Sequence, residues 1–316
     1  MDYRKLIKFG ENSFVISLPK MWLKKNQLEK GNVVYLTENG NNELMVSPQE
    51  HNNSQGERSI ILDLDQEDDF QSILRKLYSK YIAGYDLITL LGEKAIREHG
   101  EKIRALLNEL LAFEILEETK NKIVLKDYID ARIVSLEATI RRIDVLIRSM
   151  LDDLQHVYKD NTASLGRRDK EIGKLSLLAL RILNKATINP QIQSKIGIKS
   201  DRLLNTWNLF NNFEPLASEL KKLAIYLEKN NATKHELEAF FNLFERVSED
   251  YKNAMKAWYT KDEKLAYATA NAVLPRIEQC DMLIGVQKDI YLPLAISKLK
   301  NIETFIKNIV RGIYDV

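Results

Sequence analysis

The sequence predicts a multidomain protein with a small β-rich head, an α/β middle domain and an all-α C-terminal part. Three observations lead to this fold class. Short apolar runs separated by turn signals occupy residues 1–50, strand and helix patterns alternate over 58–128, and apolar residues recur at helical spacing over 129–316. The stretch 49–57 contains no apolar residue, and we expect it to be a linker.

Two β-hairpins are predicted in the head. The apolar runs that would form their strands are residues 6–7, 14–16, 33–36 and 44–46. Asn39-Gly40 favours a tight turn in the second hairpin because both residues tolerate positive φ. Pro19 predicts the start of a short helix between the hairpins. Strands this short cannot close a core alone, so we expect the head to be completed in a homodimer.

The middle domain, 58–128, is predicted to have the element order β-α-β-α-β-β. The predicted elements are a strand at 60–62, a helix at 67–83, a strand at 85–91, a helix at 94–112, and a hairpin of 113–118 with 123–128. This order is typical of a small α/β sandwich. No glycine-rich phosphate loop follows either of the first two strands, so we expect no nucleotide site there.

The helical part is predicted to consist of two three-helix bundles, 129–232 and 233–316. The first stripe of apolar residues is Ile129, Ile133, Leu136, Ile140, Ile143, Ile147, Met150 and Leu154. Its alternating steps of four and three indicate one long helix with a coiled-coil-like seam. An internal repeat is visible as well, since Leu165-x-Arg167-x-Asp169 corresponds to Leu274-x-Arg276-x-Glu278.

Composition excludes several classes of protein. The 316 residues are 45% hydrophobic and 29% charged, which excludes a mainly disordered chain. No stretch approaches the roughly 18 apolar residues of a membrane span, and the first residues lack the apolar core of a signal peptide. Cys280 is the single cysteine, and the four histidines are isolated. We expect a cytoplasmic protein that is not inserted in a membrane, has no structural zinc site and is not an enzyme.

Positive charge is concentrated in the head. Residues 1–34 carry seven basic and three acidic residues, a net charge of +4, whereas the whole chain has +2. The basic residues are Arg4, Lys5, Lys8, Lys20, Lys24, Lys25 and Lys30. Dimerisation would double this basic face, which would then suit the phosphate backbone of a nucleic acid. Lysines that only keep a small domain soluble would give the same number of basic residues, so both explanations remain open.

The order of motifs in the head resembles the AbrB/SpoVT swapped-hairpin DNA-binding domain. Asn12-Ser13 precedes a strand, Leu18-Pro19-Lys20 precedes the short helix, and Leu28-x-x-Gly31-Asn32 follows it. The resemblance implies an intertwined dimer that inserts strand and loop residues into DNA. The residues to which it assigns DNA contact are Arg4, Lys5, Lys8, Asn12, Ser13 and Lys20. Glu11 departs from the family pattern and would repel phosphate.

The helical repeats resemble the PhoU family of phosphate-uptake regulators, and nearly the whole chain resembles the archaeal-type members with an AbrB-like head. The middle-domain segments that carry this resemblance are 74–77, 81–88 and 107–115. It implies a cytoplasmic, homodimeric regulator of phosphate uptake, with a phosphate transporter ATPase or a signalling protein as a possible partner.

The carboxylate motifs with which PhoU proteins bind metal are incomplete here. Each needs a second acid four residues after the first, so that both lie on one helix face. Four residues after Glu214 the sequence has Ser218 instead of an acid, and four residues after Glu303 it has Lys307. The charge of Lys307 could neutralise a nearby carboxylate. The remaining candidate ligands are the pair Asp169 and Glu214 and the pair Glu278 and Glu303. We expect no cofactor, or at most weak binding of a divalent or iron ion.

Two functions remain open from the sequence. The first is a DNA-binding transcriptional regulator of phosphate homeostasis, whose helical part senses or relays phosphate status. The second is an adaptor that regulates a phosphate transporter or signalling partner through the helical bundles and uses the head only to dimerise. Glu11 and the modest net charge favour the adaptor, whereas the basic head favours the regulator.

Overall fold

A computed structural model describes residues 3–11, 13–38, 44–49, 57–67, 69–156, 162–285 and 289–314. The chain forms two compact units, within which most of its contacts lie: an N-terminal unit of residues 1–56 and a larger unit of residues 57–316.

The N-terminal unit contains two antiparallel hairpins and one short helix. Their bounds are β1 (Ile7–Phe9), β2 (Ser13–Val15), α1 (Lys20–Lys25), β3 (Tyr35–Glu38) and β4 (Leu44–Ser47). Strand β1 pairs with β2, and β3 pairs with β4 in a separate sheet. The predicted strands and helix are confirmed, with Pro19 as the residue that precedes α1. Asn12 and the Asn39-Gly40 turn lie outside the described residues.

The larger unit begins with a four-stranded sheet flanked by two helices. The elements are β5 (Ser59–Asp63), α2 (Phe70–Ile82), β6 (Leu87–Leu91), α3 (Glu93–Leu107), β7 (Phe113–Thr119) and β8 (Lys122–Asp127). The strand order is β5-β6-β8-β7, with β5 and β6 parallel and the other pairs antiparallel. The predicted element order is confirmed, although α3 ends at Leu107 rather than at residue 112. Turns follow it, and Ala112 adopts a φ of 80° before β7 begins.

A glycine allows the tight connection from β6 to α3. Gly92 has a φ of 142°, and a Cβ atom there would lie 2.8 Å from Oδ1 of Asp65. That oxygen accepts a hydrogen bond from the backbone N–H of Ala95 at 2.8 Å, which satisfies a free donor in the first turn of α3. Any residue with a side chain would be strained at position 92 and would displace this cap.

Six long helices and one short helix form the rest of the larger unit. They are α4 (Leu136–His156), α5 (Thr162–Ile188), α6 (Pro190–Lys195), α7 (Leu203–Lys229), α8 (Lys234–Thr260), α9 (Glu263–Ile284) and α10 (Tyr291–Tyr314). Helices α4, α5 and α7 pack together, as do α8, α9 and α10, and α7 also packs along α10. Their buried apolar residues form one continuous cluster, so the two sets of three helices share a single core.

The first two residues of the predicted first stripe are not part of its helix. Ile129 lies before a 3₁₀ turn, Ala131–Ile133, and Ile133 is in that turn and 77% exposed, whereas the stripe from Leu136 to Leu154 is buried. The α-helix begins only after Ser135, whose hydroxyl accepts a hydrogen bond from the N–H of Ala138 at 3.2 Å. This side-chain bond satisfies a donor of the first turn and favours a helix start at this position.

A buried ionic network joins the sheet to α5. Arg181 is fully buried and donates to the backbone oxygens of Tyr81 at 2.6 Å and Tyr85 at 2.7 Å, and it forms a salt bridge with Asp127. The ammonium group of Lys185 lies 2.7 Å from the Asp127 carboxylate and 2.6 Å from that of Asp86. These contacts make the sheet and the helices one compact unit.

Candidate functional site

The predicted DNA-contacting residues of the N-terminal unit are all solvent-exposed where the structure describes them. Arg4 and Lys5 precede β1, Lys8 lies in β1, Ser13 begins β2 and Lys20 begins α1. Asn12, the remaining member of the set, lies outside the described residues. No salt bridge in the described part of the chain involves Lys5, Lys8 or Lys20, so their charges are available to a phosphate backbone.

The pairing of the first hairpin gives it one mainly apolar face and one mixed face. Ile7 pairs with Val15 and Phe9 with Ser13, while Lys8 pairs with Phe14. Because successive side chains of a strand point to opposite faces, Ile7, Phe9 and Val15 share one face, and Lys8 and Phe14 share the other. The first face can therefore be covered by another chain while Lys8 remains exposed on the second.

Two kinds of lysine can be distinguished on α1. Lys24 and Lys25 lie in its last turn, where a positive charge is stabilised by the helix dipole. Lys20 lies in the first turn, which contains no acidic residue and where the dipole disfavours a positive charge. The helix dipole thus favours a positive charge at Lys24 and Lys25 but not at Lys20.

The N-terminal unit has no apolar core of its own among its described residues. Ser47 is the only described residue of this unit that is buried. Phe14 is 64% exposed, Val33 66% and Met21 85%. Other apolar side chains left largely exposed in this unit are Leu6, Ile7, Phe9, Ile16, Leu36 and Leu44. Exposed apolar residues at this density in a small unit indicate a surface that another chain covers.

A sequence comparison identifies the kind of domain this unit is. Residues 7–54 match the family described as antidote-toxin recognition MazE, bacterial antitoxin. That family is of the AbrB-like swapped-hairpin type, so the match supports the predicted AbrB-type head. Domains of this type bind DNA and are typically dimeric. The match lies within the N-terminal unit. No characterised protein and no solved structure matches the chain.

The larger unit contains the four residual metal candidates, and the structure brings only one predicted pair together. Asp169 on α5 and Glu214 on α7 line the same pocket. One carboxylate oxygen of Asp169 accepts a hydrogen bond from Lys221, and the other has no partner. Glu214 reaches solvent in part, yet burial within the pocket and the charge of Asp169 raise its pKa.

The structure describes Glu278 and Glu303 in different surroundings. Glu303 is fully buried, and the carboxylate that acts on it electrostatically is that of Asp250 on α8. Glu278 is exposed. Arg276 acts on Glu303, and Glu303 acts on Cys280, which lies four residues after Arg276 on α9. Glu278, midway between Arg276 and Cys280, therefore points to the other side of the helix.

The buried carboxyl of Glu303 is held neutral without a lysine. Burial, and then the charge of Asp250, raise the pKa of Glu303 to about 9. Lys307, which the sequence suggested as a neutralising partner, is exposed and contributes nothing to this shift. Among the described residues, no group of three or more His, Cys, Asp or Glu side chains is placed to hold a metal ion.

Sequence reasoning missed Asp250, although a signal for it exists in the internal repeat. Asp153 on α4 forms a salt bridge with Arg168 on α5 at 2.5 Å, and Asp250 on α8 forms one with Arg276 on α9 at 2.9 Å. In both sets of helices an aspartate of one helix thus pairs with an arginine of the next. Asp153 and Arg168 lie near the helix ends that follow each other along the chain, whereas Asp250 and Arg276 lie farther from those ends.

None of the helices in the described part of the chain combines the length and the hydropathy that a membrane crossing requires.

Proposed function

We propose that the protein is a homodimeric, DNA-binding transcriptional regulator of phosphate uptake. The observation that carries this proposal is the match of residues 7–54 to an AbrB-like family, in a unit whose basic side chains are exposed. In this proposal two N-terminal units cover each other's apolar side chains. The side chains that contact the DNA backbone are Arg4, Lys5, Lys8, Asn12, Ser13 and Lys20.

The phosphate-related part of the proposal rests on the resemblance of the helical repeats to PhoU proteins. Two sets of three long helices that share one core are compatible with that resemblance. In this proposal the helical part senses or relays phosphate status, either directly or through a transporter ATPase or a signalling protein. The proposal includes no catalytic activity and no required cofactor, and it places the protein in the cytoplasm.

DNA binding can be tested on the full-length protein with its own promoter DNA over a series of salt concentrations. Affinity should fall steeply with salt, because each phosphate contact contributes roughly 0.9 to the logarithmic slope. The double variant Arg4→Ala/Lys8→Ala should bind more weakly, and its slope should be smaller by about two for each chain that contacts DNA.

A charge-matched control makes this test specific. Lys229→Ala/Lys256→Ala removes the same charge from exposed positions of the larger unit and should leave both affinity and slope unchanged. Equal losses in the two double variants would show that only overall charge matters and would contradict the assignment of the interface to the head.

The alternative function is recognition of a protein partner without DNA binding. Two observations favour it: Glu11 is exposed between the basic positions of the head, and the matched family is described as an antitoxin that takes part in toxin recognition. The partner in this case is a toxin-like protein or a phosphate transporter component, with the head serving for dimerisation. A protein that remains dimeric but fails to bind promoter DNA at low salt would favour this alternative.

A further inference from the structure

A pocket in the larger unit lies where the sheet and its helices meet the helical part. Its volume is about 450 Å³, which is within the range of small-molecule sites. Helix α2 contributes Tyr78 and Ile82, α5 contributes a row of residues from Asp169 to Leu180, and α7 contributes Phe210 and Glu214. Gly173 in the middle of that row faces Glu214 across the pocket, since a Cβ atom there would lie 3.7 Å from the Glu214 Cγ, an ordinary van der Waals contact.

Two buried polar atoms at this pocket lack hydrogen-bond partners. Asp169 is 8% exposed, and its second carboxylate oxygen accepts no hydrogen bond. Ser176 is 2% exposed, and its hydroxyl has no partner either. A buried polar group without a hydrogen-bond partner destabilises the fold, so such atoms beside a pocket favour a ligand that supplies the missing bonds. A carboxylate only accepts hydrogen bonds, and the ligand must therefore donate one to Asp169.

The charges around the pocket favour a cationic donor. Glu109 accepts a hydrogen bond from the Tyr78 hydroxyl at 2.6 Å, but no hydrogen bond or salt bridge in the described part of the chain involves Glu214. Burial and then the charge of Asp169 raise the pKa of Glu214, whereas Lys221 and Lys222 lower it. Lys170 and Lys174 also line the pocket and, like Glu214, reach solvent.

Apolar side chains define the other part of the ligand. Leu177, Leu180 and Phe210 line the pocket next to these polar groups. We propose that this pocket binds a small organic amine, with its ammonium group between Asp169 and Glu214 and its apolar body against Leu177, Leu180 and Phe210. A primary ammonium has three N–H donors and remains protonated near neutral pH, so it can satisfy both carboxylates at once. This site does not depend on DNA binding by the head.

Three probes of the same shape test the chemical class of the ligand. Binding of 2-phenylethylamine, 2-phenylethanol and 3-phenylpropanoate to the full-length protein is measured by calorimetric titration at low salt. The amine should bind at least about tenfold more tightly than the alcohol and the carboxylate, because only it supplies a positive charge. Tighter binding of the carboxylate would assign the pocket to anions through Lys170 and Lys174 and would overturn the proposal. So would a lack of saturable amine binding.

Variants on two different helices locate the binding site. Asp169→Asn and Glu214→Gln should each weaken amine binding at least about tenfold. Asp169→Asn also loses the salt bridge to Lys221, so its fold is checked by circular dichroism; Glu214→Gln breaks no described bond and serves as the second test. Glu278→Gln, which removes an exposed acid from α9, is the matched control and should bind the amine normally. Unchanged amine affinity in Glu214→Gln would contradict the assignment.

Discussion

At the scale of single residues, the most unusual environment is that of Glu303. Its side chain is fully buried, and Asp250 acts on it both by its charge and as a hydrogen-bond partner of the protonated carboxyl. A buried carboxylate without a compensating cation is costly, and the group responds by retaining its proton. The positive charge that acts on Glu303, that of Arg276, is already engaged by Asp250 at 2.9 Å.

This proton should make stability depend on pH. Burial raises the pKa of Glu303 to about 9 in the folded protein, from its ordinary value of 4.5. Between these values the folded state binds a proton that the unfolded state has lost, so the free energy of unfolding falls as pH rises, by up to about 1.4 kcal/mol per pH unit from this group. Glu303→Gln should remove that contribution, and urea unfolding between about pH 5 and pH 8 measures it.

An exposed acid provides the comparison for this prediction. Glu278→Gln lies on the same bundle and changes the same functional group, but it should leave the pH dependence of the wild type unaltered. If Glu303→Gln and wild type lose stability in parallel over this range, Glu303 is not the protonated group.

At the scale of elements, one ionic network determines how the sheet is joined to the helices. Arg181 and Lys185 are one turn apart on α5, and both contact Asp127 at the end of β8. The Arg181 guanidinium also lies 4.8 Å from the ring centre of Phe113 and 5.0 Å from that of Tyr81. A planar cation that stacks on rings and donates to two backbone carbonyls fixes the orientation of α5 against the sheet.

Loss of this arginine should be far more costly than loss of a surface arginine. Arg181→Met leaves Asp127 without its principal partner and should destabilise the protein by about 3–5 kcal/mol. Arg132→Met removes an exposed salt bridge to Asp130 and should change stability far less, because solvent screens that pair. Chemical denaturation of both variants measures the difference. Similar costs would mean that Lys185 alone neutralises Asp127.

At the scale of the whole molecule, the two units differ in how they bury apolar surface. The larger unit has a continuous core that includes residues from all six long helices, and a second core beneath its sheet. The described part of the N-terminal unit buries no apolar residue. A small unit without a core does not hold its fold as an isolated chain, so its stability should come from association with a second copy.

Association through the head can be tested with two similarly exposed positions. Phe9, on the apolar face of the first hairpin, is 69% exposed, and Leu274 on α9 is 64% exposed. Phe9→Glu should dissociate the dimer to a species of 36.6 kDa in light-scattering measurements, because it places a charge in the apolar contact. Leu274→Glu should remain a dimer. The reverse result would place the dimer contact on the helical part.

Local patterns in the chain specify most of its elements, because hydrophobic periodicity and turn residues act over a few positions. The hairpins, the β-α-β-α-β-β order and the long helices follow from such patterns, apart from the ends of α3 and the start of α4. Which distant residues meet depends on the folded chain. Arg181 reaches Asp127 across 54 positions, and Glu303 faces Asp250 rather than Glu278. Such contacts depend on how helices pack and rotate against each other, and no local pattern specifies that rotation.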